Sequence, residues 1–188
     1  MAKKRTTDRD EEEEYFHKED EQKKATLRRD RQLQAVRQKE REAIAEELDT
    51  SEEVAEEAMA LGFDAETARV LPLIPLIQVA WGNGRVSRAE SEKVNKKAAE
   101  FGLTQGSPAC NFLNLLLEEK PTDLFFERAN KVMSHIVEED RTGMGDNVLA
   151  WSKAVAEASG GFFGLANPIK KGQQEVLEEL AELLGIDS

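Results

Sequence analysis

The sequence has few of the residues from which catalytic and metal sites are usually built. It contains one cysteine and two histidines in 188 residues. The single cysteine, Cys110, excludes an intrachain disulfide, and its place before an apolar helix indicates a small core residue. Neither a Cys/His zinc cluster nor a Ser–His–Asp triad can be assembled with only His17 and His135. No pair of carboxylates stands out for acid–base catalysis, so we predict a protein that is not an enzyme and carries no cofactor.

Strand patterns and long apolar runs are also missing. No segment alternates apolar and polar residues as a half-buried strand does. The longest apolar stretch, residues 70–81, contains two prolines and is too short to span a membrane. The net charge of −12 argues against binding to nucleic acid. The first residues are charged where a signal peptide is apolar, so we expect a cytoplasmic protein.

Helix signals fill the rest of the chain. From residue 50 onward, helix caps and breakers divide the sequence into six or seven short helices with apolar stripes, one of which runs from Leu124 to Ile136. The N-terminal capping signals are Thr50 with Glu53, Ser87 with Glu90, Ser107 before Pro108, and Thr122. We therefore predict an all-α fold in which residues 50–188 form a compact bundle around one core, preceded by a charged helical arm in residues 1–49 that is partly disordered at its start.

The arm is predicted to be one long helix, from about Asp10 to Leu48, because good helix formers dominate it. Residues 10–21 hold eight acids and one lysine, whereas residues 22–41 hold eight Lys/Arg and two acids. Its sparse apolar residues do not form a steady heptad seam. We predict that residues 10–48 bind a protein partner, or pair with a second copy of the chain. The candidate partner-binding residues are Tyr15, Phe16, Leu27, Arg28 and Arg29.

Two glycine-rich loops are candidate functional sites. The loop after residue 81 matches the second half of a calcium-binding EF-hand loop, with Gly84 at position 6 and Glu90 at position 12, but the acids of the first half are absent. Asn83 and Glu90 are therefore only weak metal candidates, and we predict that no metal is bound. A small metal-binding or metal-sensing protein is the alternative function. The uncharged loop Gly160–Gly164 is expected to place its phenylalanines in the core.

Two stretches resemble a known family. Residues 73–90 (LIPLIQVAWGNGRVSRAE) and residues 167–185 (NPIKKGQQEVLEELAELLG) resemble the paired motifs of the TerB-like, tellurite-resistance helical family, and the resemblance covers about residues 64–185. It implies an intracellular all-helical protein of two similar halves, linked to stress and tellurite resistance. In some members, acids of the two loops bind divalent cations. Asn83 and Gln173 replace two of those acids, so we expect that the fold is kept and the metal is lost.

A second resemblance concerns the arm alone. Residues 12–31, in which EEYFHK precedes a Lys/Arg-rich stretch, are similar to the inhibitory helix of the mitochondrial ATPase inhibitor family. This similarity implies a second alternative, a regulator that acts on an ATPase through its N-terminal helix. The leading prediction is a non-enzymatic, TerB-like interaction or adaptor protein.

Overall fold

The computed structural model describes residues 3–140, 144–158 and 169–185, with side chains from Tyr15 onward. Within these ranges it contains eight α-helices, a short 3-10 helix at Ala68–Leu73 and no strand, which confirms the predicted all-α class. The α-helices are α1 (Lys3–Leu48), α2 (Glu52–Ala60), α3 (Ile74–Trp81), α4 (Arg88–Glu100), α5 (Pro108–Glu118), α6 (Asp123–Glu139), α7 (Met144–Ala158) and α8 (Lys171–Leu183). The loop Gly160–Gly164, whose phenylalanines were predicted to lie in the core, is outside the described residues.

The chain divides into two compact units, Met1–Glu40 and Arg41–Ser188. The predicted long helix of the arm is present, but it already begins at Lys3 and not at Asp10. The second unit includes the last turns of α1, because Ile44 and Leu48 are buried in its core. The predicted domain limits, 1–49 and 50–188, stay a prediction. No helix of the described ranges is both long enough and apolar enough to cross a membrane.

Helix α3 lies at the centre of the second unit. Its side chains Ile74, Leu76 and Ile77 are fully buried, and it packs against α6, α7 and α8. A helix that is apolar on all sides is stable only when other helices surround it, so this burial follows from the sequence. Pro75 occupies the first turn, where the missing backbone N–H removes no helical hydrogen bond.

Three of the predicted caps are present. Ser87 and Glu90 form a reciprocal capping box at the start of α4. The hydroxyl groups of Ser107 and Thr122 accept hydrogen bonds of 3.1 Å from backbone N–H groups at the starts of α5 and α6. These caps depend on residues three positions apart, so the local sequence is sufficient to predict them.

Three local predictions were wrong. The N-cap of α2 is Ser51, whose hydroxyl accepts from the backbone N–H of Val54, and not Thr50. The glycine-containing stretch DRTGMGD predicts a loop over residues 140–146, whereas α7 already begins at Met144. Leu124, which was placed on the buried stripe of α6, is 52 % exposed. The predicted cap of α2 and the predicted apolar stripe of α6 each begin one residue or more too early. Tertiary packing, which the local pattern does not contain, sets both limits.

Candidate functional site

The two loops that resemble the family motifs meet in the fold. One connects α3 to α4, and the other leads into α8. Gly82 and Gly172 lie in backbone contact there: a Cβ atom built on Gly172 would be 2.1 Å from the carbonyl oxygen of Gly82. A Cβ built on Gly82 would be 2.9 Å from Cα of Gln173. Both positions therefore require glycine, because any side chain would separate the two loops.

A buried polar pair lies beside this contact. Glu90 is 2 % exposed and Gln173 is 0 % exposed. Gln173 Nε2 donates a hydrogen bond of 2.6 Å to Glu90 Oε1. The backbone N–H of Ser87 donates one of 2.6 Å to Glu90 Oε2. Both carboxyl oxygens of Glu90 thus have a donor, as a buried carboxyl group requires.

The same arrangement occurs at the starts of α4 and α8. In each helix, the side chain three residues after the N-cap accepts a hydrogen bond from the N-cap backbone: Glu90 from Ser87, and Gln173 from the Lys170 N–H at 3.3 Å. The two accepting side chains then bond to each other. Sequence reasoning had aligned Gln173 with Glu90 as motif equivalents but had not predicted their contact. The shared position at the third helical residue was the available signal.

This donor set does not fit a divalent cation. In the hydrogen-bonded set formed by the described residues Ser87, Glu90, Lys170 and Gln173, the one carboxylate is Glu90, and both of its oxygens accept N–H groups. Asn83 supplies an amide whose Nδ2 is buried without a hydrogen-bond partner among the described residues. A cation requires oxygen ligands, whereas both oxygens of Glu90 already accept hydrogen bonds from N–H groups. In the part of the chain that the structure describes, no group of three His, Cys, Asp or Glu side chains is arranged to hold a metal.

The predicted partner-binding residues lie on α1. Tyr15, Phe16 and Leu27 are 66 %, 62 % and 57 % exposed. Arg28 and Arg29 are also exposed and form no hydrogen bond or ion pair within the described part of the chain. The two aromatic rings contact each other edge to face, with centroids 6.0 Å apart. All five side chains are thus accessible to a partner, and they are distant in sequence from the Glu90–Gln173 pair.

Two further apolar residues of α1 were not among the predicted partner-binding residues. Leu33 and Val36 are 59 % and 64 % exposed. At ~100° per residue, the five exposed apolar side chains spread over a full half of the helix circumference, with Val36 and Leu27 at its two edges and charged residues such as Lys23 and Arg29 between them. The absence of a heptad repeat had concealed this broad stripe, because its members are not evenly spaced along the chain.

Comparison with known proteins assigns no family to the chain. No protein-family model matches it, and neither a curated protein nor a solved structure shows significant similarity to it.

Proposed function

We propose that this protein is a non-enzymatic interaction or adaptor module that binds a protein partner, or a second copy of itself, through its N-terminal helix. The second unit, residues 41–188, supplies a stable helical domain. The first unit supplies the binding element. The TerB-like resemblance supports an adaptor in the cytoplasm with a role in stress response, and these finer points stay predictions.

One observation carries this proposal. Among the described side chains, eight large hydrophobic ones are exposed, and five of them lie on α1 between Tyr15 and Val36. Each large apolar side chain that is transferred from water into an interface contributes about 1.5–3 kcal/mol. Exposed aromatic and aliphatic side chains on a helix are common anchors of recognition, which dock into a groove of the partner.

The second unit explains why the arm, rather than the bundle, is the binding element. Most of its large apolar side chains form one core cluster around α3. Its two loop motifs are occupied by the Gly82–Gly172 contact and the Glu90–Gln173 pair. The metal-binding alternative finds no fitting donor set in this cluster. ATPase inhibition through residues 12–31 is a special case of partner binding by the arm and stays a prediction.

Substitution of three exposed arm residues tests the proposal in the full-length chain. The variant Leu27→Ser/Leu33→Ser/Val36→Ser removes the three aliphatic side chains of the apolar stripe and leaves the core untouched. We expect this variant to lose both self-association, measured by sedimentation velocity, and retention of proteins from an extract of the source cells. The circular dichroism spectrum and the melting temperature of the domain should be unchanged.

Leu115 provides a matched control, because it is an exposed leucine of the domain, 48 % exposed on α5. Leu115→Ser should leave every complex intact. Complexes that persist unchanged in the triple arm variant would show that α1 is not the binding element.

A further inference from the structure

A groove runs between α6 and α8 in the second unit. Its volume is about 980 Å³, and its apolar lining comes from Leu124, Val176, Leu180 and Leu183. Leu124 and Leu183 are 52 % and 42 % exposed. Of the three large hydrophobic side chains that are exposed among the described residues of this unit, two therefore lie in one groove. Such a paired apolar exposure marks an interaction surface.

The groove lining is predominantly acidic. Asp123, Glu127, Glu179 and Glu182 contribute four carboxylates, against two basic side chains from Arg128 and Lys131. Glu179 and Glu182 are exposed and have no ion-pair partner in the part of the chain that the structure describes. A complementary ligand therefore carries positive charge next to apolar side chains.

A buried polar atom of the groove has no hydrogen-bond partner. Asn130 is 3 % exposed and lines the groove together with Gln78. Its Nδ2 donates to Gln78 Oε1, but its Oδ1 has no partner among the described residues. Because this atom is closed to solvent, it makes the floor of the groove polar without itself offering a contact to a ligand.

The basic half of α1 carries positive charge next to exposed apolar side chains. Residues 22–40 hold seven Lys/Arg and two acids, and Leu27, Leu33 and Val36 are exposed among them. At ~100° per residue, Arg29 and Arg37 fall on the same half of the helix as these three side chains, whereas Arg28 and Lys39 fall on the opposite half.

The two units of the chain differ in net charge. Residues 1–40 carry twelve Lys/Arg and eleven Asp/Glu, whereas residues 41–188 carry fourteen and twenty-seven. The net negative charge therefore belongs to the second unit, and it attracts the basic half of another copy's arm while both copies are still separate.

We propose that the α6–α8 groove binds the basic half of α1, residues 22–40, from a second copy of the chain, so that two copies exchange their arms in a reciprocal dimer. Such a two-fold contact closes on itself, because each copy offers one helix and one groove. This inference rests on the proposed binding role of α1 and adds the occupant and its binding surface.

Charge reversal on each side tests the pairing in the full-length chain. The arm variant is Arg29→Glu/Arg37→Glu, and the groove variant is Glu179→Lys/Glu182→Lys. We expect the wild-type chain to dimerise in sedimentation equilibrium at low salt, and each variant alone to raise the dimer dissociation constant by at least about tenfold. A 1:1 mixture of the two variants should restore dimerisation, because both contacts of that heterodimer join opposite charges.

Matched controls use the same charge changes elsewhere. Arg28→Glu/Lys39→Glu reverses two bases on the opposite half of α1, and Glu138→Lys/Glu157→Lys reverses two exposed acids outside the groove lining. Both should leave the dissociation constant within about threefold of the wild-type value.

The outcomes separate this inference from the proposed function. A monomeric wild-type chain, or a mixture that does not restore dimers, overturns the groove assignment. If the arm variant loses association and the groove variant does not, α1 remains the binding element and its partner surface lies elsewhere. Failure of the proposed function would instead appear as complexes that survive removal of the apolar stripe.

Discussion

Gln173 donates a hydrogen bond from Nε2 to Oε1 of Glu90, at 2.6 Å and across 83 residues of sequence. Both side chains are buried, and both also accept from the N-cap backbone of their own helix. The pair therefore connects the starts of α4 and α8 where the two loops touch. An amide N–H₂ group and a backbone N–H hold the two carboxyl oxygens of Glu90, so the pair joins α4 to α8.

Removal of the amide should destabilise the second unit. Gln173→Ala leaves Glu90 Oε1 buried without a donor, and we expect a loss of about 1.5–3 kcal/mol in the free energy of unfolding. Urea denaturation followed by tryptophan fluorescence measures it. The control is Gln174→Ala, since that exposed side chain bonds only to Glu178 of the next helical turn. Equal effects of the two substitutions would disprove a special role for the buried pair.

The backbone contact between the loops gives a second prediction. A Cβ at residue 172 would overlap the carbonyl oxygen of Gly82, so Gly172→Ala has to move the start of α8 away from α3. We expect a loss of about 1–3 kcal/mol, as for other overpacked sites. Lys171→Ala, one residue earlier and exposed, is the control. Thermal melts in which the alanine variant at residue 172 is as stable as the wild type would refute the close contact.

Glu139 connects α6 to the start of α2 and makes stability depend on pH. Its carboxylate accepts hydrogen bonds from the Thr50 hydroxyl at 2.5 Å and from the hydroxyl and backbone N–H of Ser51, both at 2.7 Å. The hydrogen bond from Thr50 is the largest cause that lowers the pKa of Glu139 below its usual range, and the bonds from Ser51 follow. A lowered folded pKa stabilises the protein above the unfolded value of about 4.3, and the effect disappears as pH falls through the folded pKa.

Glu139→Gln should therefore cost about 1 kcal/mol at neutral pH, typical of a lost capping interaction. The difference in unfolding free energy between wild type and variant should shrink when pH is lowered from 5 to about 3. Urea titrations at several pH values measure this trend, and the neighbouring exposed Glu138→Gln serves as the control. A difference that stays constant down to pH 3 would show that the Glu139 carboxylate is not the responsible group.

The sequence predicted those features that depend on local chemistry. The Ser87–Glu90 capping box, the Ser107 cap and the central position of α3 follow from residues that are close in the chain. The α2 cap was displaced to Ser51, where Glu139 approaches from α6, a partner that no local pattern reveals. The Glu90–Gln173 bond and the groove at Asn130 likewise depend on how distant helices pack, so sequence periodicity alone could not locate them.

The central claim is that α1 contacts a protein through its exposed apolar stripe, and site-specific photo-crosslinking tests it most directly. A photoreactive amino acid placed at residue 33 of the full-length chain in its source cells should yield a discrete crosslinked protein product. The same amino acid at residue 115, which is also an exposed leucine position, should yield none. Residue 33 giving no more crosslinking than residue 115 would contradict the claim.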